Sequence, residues 1–268
     1  MRNENIKNKQ EVRRELLNIN DLYFVPTMGS LHNGHISLIK KAKKNNNKVL
    51  VSIFVNPKQF DSKKDFVSYP INIERDVQIL KKLKINYLYI PTYKDLFSFN
   101  AKNKVYLHKF SKKLCGKYRK NHFKGVVNVV NRFIEILKPK YILLGKEDFQ
   151  QSFLIKKHLE KNFIPTKVIE CKTIRDNKGV PLSSRNINLS KNNLKIVSKI
   201  YSYLKFVKSK VNKQKKLNKN IIINNILSFG VDKVQYIDLV NINFNKKTPK
   251  YNIFIAYYIN NVRLIDNF

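Results

Sequence analysis

The sequence is poor in cysteine, glycine, methionine and tryptophan, and the shortage of cysteine excludes whole classes of protein. Its 268 residues include two cysteines, Cys115 and Cys171, too few for a disulfide framework and without the paired spacing of a structural zinc site. We expect both to be reduced thiols in or near a core. No apolar run reaches the ~20 residues that a membrane-spanning helix requires. Residues 1–5 lead into mixed-charge sequence rather than the apolar segment of a secretory signal. These absences favour a cytoplasmic protein with no membrane partner.

Acidic residues are scarce as well: 18 Asp and Glu stand against 54 Lys and Arg, giving a formal net charge of +36. Taken alone, that charge suggests a nucleic-acid or anionic-membrane partner. The lysines are nevertheless spread along the whole chain among asparagine, isoleucine, phenylalanine and tyrosine, the residue usage expected of an AT-rich genome. No zinc finger, helix-turn-helix pattern or aromatic RNA-binding signature accompanies them. We interpret the charge as a solvated surface and expect no specific nucleic-acid partner.

The glycines are informative because only seven occur, and each marks backbone that needs an unusual conformation or a close approach. Gly29 and Gly34 lie in one short segment together with His32 and His35. The same segment holds Met28, the only methionine besides the initiator. This concentration of rare residues makes the segment the first candidate site.

The first two thirds of the chain alternate apolar runs with helical periodicity, which is typical of a parallel sheet wrapped by helices. The predicted strands are residues 22–25, 49–55, 87–90, 141–144 and 167–171. The predicted helices are residues 37–44, 73–83 and 126–137, with a fourth starting near Asp148. The pattern predicts an α/β fold, with a Rossmann-like domain over residues 1–173.

After residue 188 the pattern changes. Predicted helices at residues 194–211 and 221–227 precede three β-like runs at residues 234–240, 253–258 and 262–265. This order predicts a second, smaller α+β domain over residues 174–268. The lysine-rich residues 208–220 are predicted as a linker or exposed loop.

A predicted strand, a glycine-containing loop and a helix N-terminus follow one another over residues 22–44. In such a unit, backbone N–H groups and the helix dipole can hold a phosphate. His32 and His35 are three positions apart and share one face of the first helical turn. An isolated His-x-x-His pair is more often an ordinary polar pair, but here the sequence PTMG precedes it. The unit therefore favours a phosphate-binding site with imidazole donors.

Further motifs follow this unit in order along the chain. They are SIFVNPKQF at 52–60, YP at 69–70, Arg119 with HFKGV at 122–126, GKEDFQQ at 145–151, TIRD at 173–176, LSSRN at 182–186 and RLIDN at 263–267. Together with PTMG at 26–29 and HNGH at 32–35, this series resembles the class I nucleotidyltransferase superfamily with its HIGH motif, and within it the pantothenate synthetase family. The resemblance covers almost the whole chain.

The resemblance implies an ATP-dependent ligation of (R)-pantoate and β-alanine to pantothenate through a pantoyl adenylate, with release of AMP and pyrophosphate. Negative charge builds on the phosphoryl oxygens during adenylation, so donors and a cation must already be in place. The resemblance therefore also implies Mg²⁺ on the ATP phosphates. It further implies a homodimer and a C-terminal domain that closes over the ATP site.

The resemblance assigns His32 and His35 as catalytic residues, with His35 as proton donor. It implies that Gln59 and Gln151 bind pantoate, that Gln59 also borders β-alanine, and that Asp76 contacts the metal through water. The implied ATP contacts are Met28, Gly29, Ser30, Leu31, His32, Asn33, Gly34, His35, Gly145, Lys146, Glu147, Asp148, Ile174, Leu182, Ser183, Ser184 and Arg185.

Arg119 and His122 are expected on a mobile segment near the phosphates. One position departs from the family pattern, which reads Gly-Glu-Lys-Asp where this chain has Gly145-Lys146-Glu147-Asp148. The family's lysine is replaced by Glu147 and the positive charge moves to Lys146, which leaves open whether a phosphate contact persists there.

Two alternatives differ in kind. One is another HIGH-motif adenylyltransferase, such as an aminoacyl-tRNA synthetase fragment or a phosphopantetheine adenylyltransferase. The pair Gln59 and Gln151 and the short C-terminal domain argue against it. The other is a basic nucleic-acid-binding protein that has lost catalysis, for which specific binding at physiological salt would be the evidence.

Overall fold

The structure, a computed structural model, describes residues 4–6, 8–61, 63–214, 217–244 and 248–268. The chain divides into two compact units, Met1–Lys172 and Thr173–Phe268. Each unit has its own sheet and its own buried apolar cluster. The division falls one residue before the boundary expected from the sequence.

The first unit is built on a six-stranded sheet in which every neighbouring pair is parallel. Its strands are β1 (Glu4–Ile6), β2 (Leu22–Thr27), β3 (Lys48–Ile53), β4 (Tyr87–Tyr89), β5 (Tyr141–Gly145) and β6 (Lys167–Cys171). They lie in the order β1-β4-β3-β2-β5-β6. After β2 the chain adds β3 and β4 on one side and then β5 and β6 on the other, so the winding direction reverses between β2 and β5. The carboxyl ends of strands at such a switch point are where open parallel sheets bind ligands.

Helices cover this sheet. They are α1 (Lys9–Glu15), α2 (Asn33–Ala42), α3 (Lys63–Val67), α4 (Ile73–Lys82), α5 (Tyr93–Phe97), α6 (Cys115–Tyr118), α7 (His122–Leu137) and α8 (Phe149–Lys161). Strand β3 is buried at every position except Lys48, as expected for a parallel strand with both faces covered. One apolar cluster includes Val25, Ile39, Val51 and Leu80. This packing fixes the loops that leave β2, β3 and β5.

The second unit is a three-stranded antiparallel sheet, β7 (Lys233–Asn241), β8 (Tyr251–Ile259) and β9 (Val262–Asn267), with two helices, α9 (Lys191–Gln214) and α10 (Lys219–Ser228). The turn between β8 and β9 is Asn260-Asn261, and both residues have positive φ (50° and 63°). Asparagine tolerates this conformation, which suits a tight hairpin between twisted strands. The Rossmann-like sheet and the smaller α+β unit predicted from the sequence are both confirmed.

The loop predicted at residues 208–220 is wrong over most of its length. Helix α9 continues to Gln214 and α10 begins at Lys219, while residues 215–216 lie outside the described part of the chain. The buried positions Val197, Ile200, Leu204 and Val211 follow helical spacing up to that point. Lysine is also a good helix former, so a lysine-rich composition did not indicate a loop.

Strand β1 was not predicted, because three residues are too few to show a period. Cys115 and Cys171 are buried thiols, as expected. Among the described helices, none is long and apolar enough to cross a membrane.

Candidate active site

The loop between β2 and α2 has a backbone that only a few residues tolerate. Gly29 and Ser30 both have positive φ, 80° and 51°. A Cβ on Gly29 would lie 3.0 Å from Oδ2 of Asp76 and 3.2 Å from Cγ2 of Ile53. The Thr27 hydroxyl accepts the Gly29 N–H at 3.2 Å. A side chain at position 29 would therefore be both strained and crowded.

The carboxylate of Asp76 holds the next two residues of this loop. Its Oδ2 accepts the N–H of Ser30 at 2.7 Å and its Oδ1 accepts the N–H of Leu31 at 2.8 Å. Asp76 lies on α4 and is fully buried. A carboxylate 45 residues away in sequence thus determines the direction of two consecutive loop amides.

His32 and His35 form a reciprocal cap at the start of α2. Nδ1 of His32 accepts the N–H of Gly34 at 3.1 Å, and Nδ1 of His35 accepts the N–H of His32 at 3.4 Å. Because both Nδ1 atoms act as acceptors, the proton of each neutral ring resides on Nε2. Burial lowers the pKa of His32 to about 4. Burial, with a smaller contribution from neighbouring His32, lowers the pKa of His35 to about 3. Both rings are therefore neutral Nε2–H donors at pH 7.

The amides of this loop have partners within the protein. The N–H groups of Gly29, Ser30, Leu31, His32 and Gly34 all donate to groups of the protein itself. The contact of loop amides with phosphate therefore stays a prediction. The two imidazoles add Nε2–H donors to the same loop.

Gln59 lies beside this loop. Its Nε2 donates to Sδ of Met28 at 2.7 Å, and its Oε1 accepts from Nδ2 of Asn56 at 3.3 Å. Asn56 is buried and also donates to the main-chain oxygen of Gly125 at 3.1 Å. The turn after β3 and the first turn of α7 are thereby joined, and the predicted pantoate residue Gln59 meets the histidine-bearing loop. Sequence reasoning missed Asn56, although it lies within the motif that contains Gln59.

Arg119 and His122 both bind the main-chain oxygen of Gln59. Arg119 donates to it at 3.1 Å, and Nδ1–H of His122 donates to it at 2.6 Å. Arg119 also pairs with Asp61 at 2.5 Å, and its side chain is only 10% exposed. In this arrangement the guanidinium positions the Gln59 turn; contact with phosphates stays a prediction.

The two glutamines at the start of α8 have different surroundings. The amide of Gln150 is buried, donates to the main-chain oxygens of Phe110 (2.8 Å) and Lys113 (2.7 Å), and accepts the N–H of Cys115 (3.1 Å). It fastens the segment before α6 to α8. Gln151 is half-buried, one position further around the helix, so it remains the candidate ligand of the pair.

The loop after β5 also lies at the switch point of the sheet. Gly145 ends the strand, and a Cβ placed on it would lie 1.9 Å from Oε1 of Glu147, so the Glu147 carboxylate lies against this glycine. Lys146 and Asp148 are exposed in a short 3₁₀ turn. The positive charge of this loop therefore faces solvent where ligands of such sheets bind.

The remaining predicted ATP contacts belong to the second unit. The N–H of Leu182 donates to the main-chain oxygen of Ile174 at 3.0 Å, which closes the hairpin that carries both residues. The Ser183 hydroxyl accepts the N–H of Arg185 at 3.3 Å and caps the 3₁₀ turn Ser184–Asn188. Ile174 and residues 182–185 are thus brought together within this unit.

The hairpin is anchored by a buried ion pair. Arg175 donates to both carboxylate oxygens of Asp266, at 2.7 and 2.6 Å, and to the main-chain oxygen of Gly179 at 3.0 Å. Its guanidinium also lies over the ring of Tyr201, 4.7 Å from the centroid. The TIRD and RLIDN motifs therefore meet at this ion pair.

In the structure, Asp76 acts as a hydrogen-bond acceptor within the protein. Its two oxygens already accept loop amides, and its side chain is inaccessible to solvent. Within the described ranges there is no group of three or more His, Cys, Asp or Glu that could hold a metal ion. A water-mediated contact between Asp76 and a metal stays a prediction.

Comparison with known proteins gives the family. The family model described as "Pantoate-beta-alanine ligase" matches residues 3–268. The chain is 42% identical to the pantothenate synthetase of Francisella tularensis subsp. novicida over 99% of this chain and 95% of the relative. The chain belongs to the pantoate-beta-alanine ligase family.

Solved structures agree with this membership. A pantoate-beta-alanine ligase from Francisella tularensis, complexed with beta-gamma ATP and beta-alanine, matches with a TM-score of 0.84 and 39% identity, covering 99% of this chain and 97% of that one. Pantothenate synthetase from Thermus thermophilus matches with a TM-score of 0.86 and 27% identity, covering 100% and 99%. Both pantoate-beta-alanine ligase structures share the fold of this chain over its whole length.

Proposed function

We propose that this chain ligates (R)-pantoate and β-alanine to pantothenate in two steps. In the first, the pantoate carboxylate attacks the α-phosphorus of ATP and pyrophosphate leaves. In the second, the neutral amine of β-alanine attacks the acyl carbon of the pantoyl adenylate, an amide bond forms and AMP leaves. The observation that carries this proposal is the contact between Gln59 and Met28, which joins the pantoate glutamine to the histidine loop.

The two imidazoles suit the first step. With their protons on Nε2, His32 and His35 are neutral donors to phosphoryl oxygens, on which negative charge grows as pyrophosphate departs. Because both rings are neutral, they do not repel a nucleotide electrostatically, and they lose no proton before the reaction. We therefore place His35 as a hydrogen-bond donor to the transition state rather than as a preformed imidazolium acid.

Other side chains complete the proposal. Gln59 and Gln151 offer amide donors and acceptors to the hydroxyls of pantoate, and Gln59 borders the β-alanine amine. We propose that the residues named above as ATP contacts have that role, with Ser184 and Arg185 on the phosphates. Mg²⁺ bound to the ATP phosphates would neutralise part of their charge. We also propose that the protein is a cytoplasmic homodimer.

The test is pantoate-dependent ATP–pyrophosphate exchange in the absence of β-alanine. We expect exchange only when pantoate is present, because the adenylate forms before β-alanine reacts. Gln59→Ala should raise the KM for pantoate, whereas Gln78→Ala, which alters an exposed glutamine on α4, should not. AMP release that requires β-alanine, without exchange at any enzyme concentration, would contradict the two-step reaction.

A further inference from the structure

The buried carboxylate of Asp76 has an unusual set of partners. It is fully buried, yet among the described residues it forms no ion pair. Its side-chain contacts are the N–H groups of Ser30 and Leu31, at 2.7 and 2.8 Å. A buried charge with no countercharge is expensive unless several dipoles are directed at it. The two amide donors are therefore the groups that stabilise this buried carboxylate.

Only a carboxylate provides two acceptors for two consecutive amides. An asparagine of the same shape would present one oxygen and one NH₂ group, and the NH₂ group would face an N–H donor. The carboxylate also holds Ser30 at a φ of 51°, a conformation that costs free energy for any residue other than glycine. Removing one acceptor releases this strained backbone.

The position of the anchored amides links Asp76 to the histidines. Leu31 is buried and is followed directly by His32, the capping residue of α2, whose ring lies 4.1 Å from that of His35 between centroids. A shift of the loop at Leu31 therefore moves both imidazoles. Small displacements of transition-state donors reduce rates strongly.

We propose that Asp76 is a positioning residue for adenylation: it bends the loop from Ser30 to Leu31 so that the Nε2–H groups of His32 and His35 point at the reacting phosphate. This role rests on the proposed function. It differs from a metal contact because it predicts no change in the dependence on Mg²⁺.

The experiment compares Asp76→Asn with wild type in pantoate-dependent ATP–pyrophosphate exchange over a series of Mg²⁺ concentrations. Loss of a partner that orients reacting groups typically lowers activity ~10- to 100-fold. We expect a fall of kcat in that range, with the half-saturating Mg²⁺ concentration unchanged. Glu74→Gln is the matched control, since it removes an exposed acid from the same helix and should leave kcat within about twofold.

A double variant tests the mechanism. Ser30→Gly in the Asp76→Asn background should recover part of kcat, because glycine adopts positive φ without the anchor.

Wild-type kcat in Asp76→Asn would overturn the proposal. So would a tenfold or larger rise in the half-saturating Mg²⁺ concentration with full activity at saturating Mg²⁺, because that result identifies a metal contact.

A measurement on the wild-type protein keeps the proposal testable if Asp76→Asn does not fold. The amides of Ser30 and Leu31 should exchange slowly with deuterium in the enzyme without ligands, since both are hydrogen-bonded to a buried group. Fast exchange at both positions would overturn the anchor. Absence of pyrophosphate exchange in wild type would instead refute the proposed function, so the two failures are distinguishable.

Discussion

Nδ1 of His35 accepts the main-chain N–H of His32 at 3.4 Å, so one histidine of the motif caps the helix turn that the other begins. The two nitrogen atoms of the His35 ring therefore have separate roles. Nδ1 maintains the local backbone, and Nε2 is left to donate to a ligand. The two tasks can be separated by substitution, because asparagine places its amide near Nδ1 and glutamine reaches near Nε2.

The first prediction concerns His35. His35→Asn keeps an acceptor for the cap and removes the distal donor, so kcat for adenylation should fall ~10²–10³-fold while ATP binding changes little. His35→Gln should retain more of kcat than His35→Asn, because its amide supplies a donor at the Nε2 position. Exchange kinetics and ATP titration check both. Unchanged kcat with a raised KM for ATP in His35→Asn would mean that His35 only binds.

The second prediction concerns His158, a buried histidine that the sequence did not single out. Its Nδ1 accepts the N–H of Tyr106 at 3.2 Å and its Nε2–H donates to Oδ1 of Asn131 at 3.0 Å. Burial lowers the pKa of His158 from 6.5 to about 4. The folded state therefore binds this proton less readily than the unfolded state. Its contribution to stability is complete above pH 6.5 and is lost as pH falls toward 4.

For these two pKa values, the free energy of unfolding should drop by about 2 kcal/mol between pH 7 and pH 5 through His158 alone. His32 and His35 add to the same trend in every variant. His158→Gln should therefore be less stable than wild type at pH 7 but lose less stability on acidification, as measured by urea denaturation at both pH values. Equal losses in the two proteins would show that His158 does not carry this dependence.

The sequence predicted a parallel sheet and the β2–loop–α2 unit because both depend on local periodicity and on ordered motifs. It did not predict the direction of the loop amides, since that is set by Asp76, far along the chain. It named Gln151 but gave no role to Gln150, whose buried amide binds main-chain groups far away in sequence. Composition and spacing indicated the types of element but could not show the long-range hydrogen bonds between them.

The third prediction concerns the ion pair that anchors the hairpin carrying Ile174 and Leu182, two predicted ATP contacts. Asp266 is 5% exposed and Arg175 is 18% exposed, so removing the charge of one leaves the other largely buried without a countercharge. Asp266→Asn should lower the free energy of unfolding by ~3 kcal/mol and raise the KM for ATP. Arg175→Lys should not preserve stability, because lysine cannot bind both oxygens at once.

The control for this prediction is the exposed pair of Lys219 and Asp238 in the same unit. Asp238→Asn should change stability by less than about 1 kcal/mol, as surface ion pairs do. Urea denaturation of the variants measures the stability changes and exchange kinetics give the KM. Equal effects of the substitutions at Asp266 and Asp238 would contradict the anchoring role.

The last prediction concerns the reversed pair Lys146 and Glu147. Lys146 is exposed in the 3₁₀ turn after β5, whereas the Glu147 carboxylate folds back against Gly145. The long lysine side chain can bridge a one-residue offset in such a turn, so we expect it to take over the contact of the family's lysine. A charge-assisted hydrogen bond contributes ~1.5–3 kcal/mol, which corresponds to about 10- to 150-fold in rate when it forms in the transition state. Lys146→Ala should therefore lower pantoate-dependent exchange at least tenfold, and Lys146→Glu combined with Glu147→Lys should give equal or higher activity than wild type. If Lys146→Ala is neutral and the double variant is much more active, the enzyme works without this contact and the reversal has removed it.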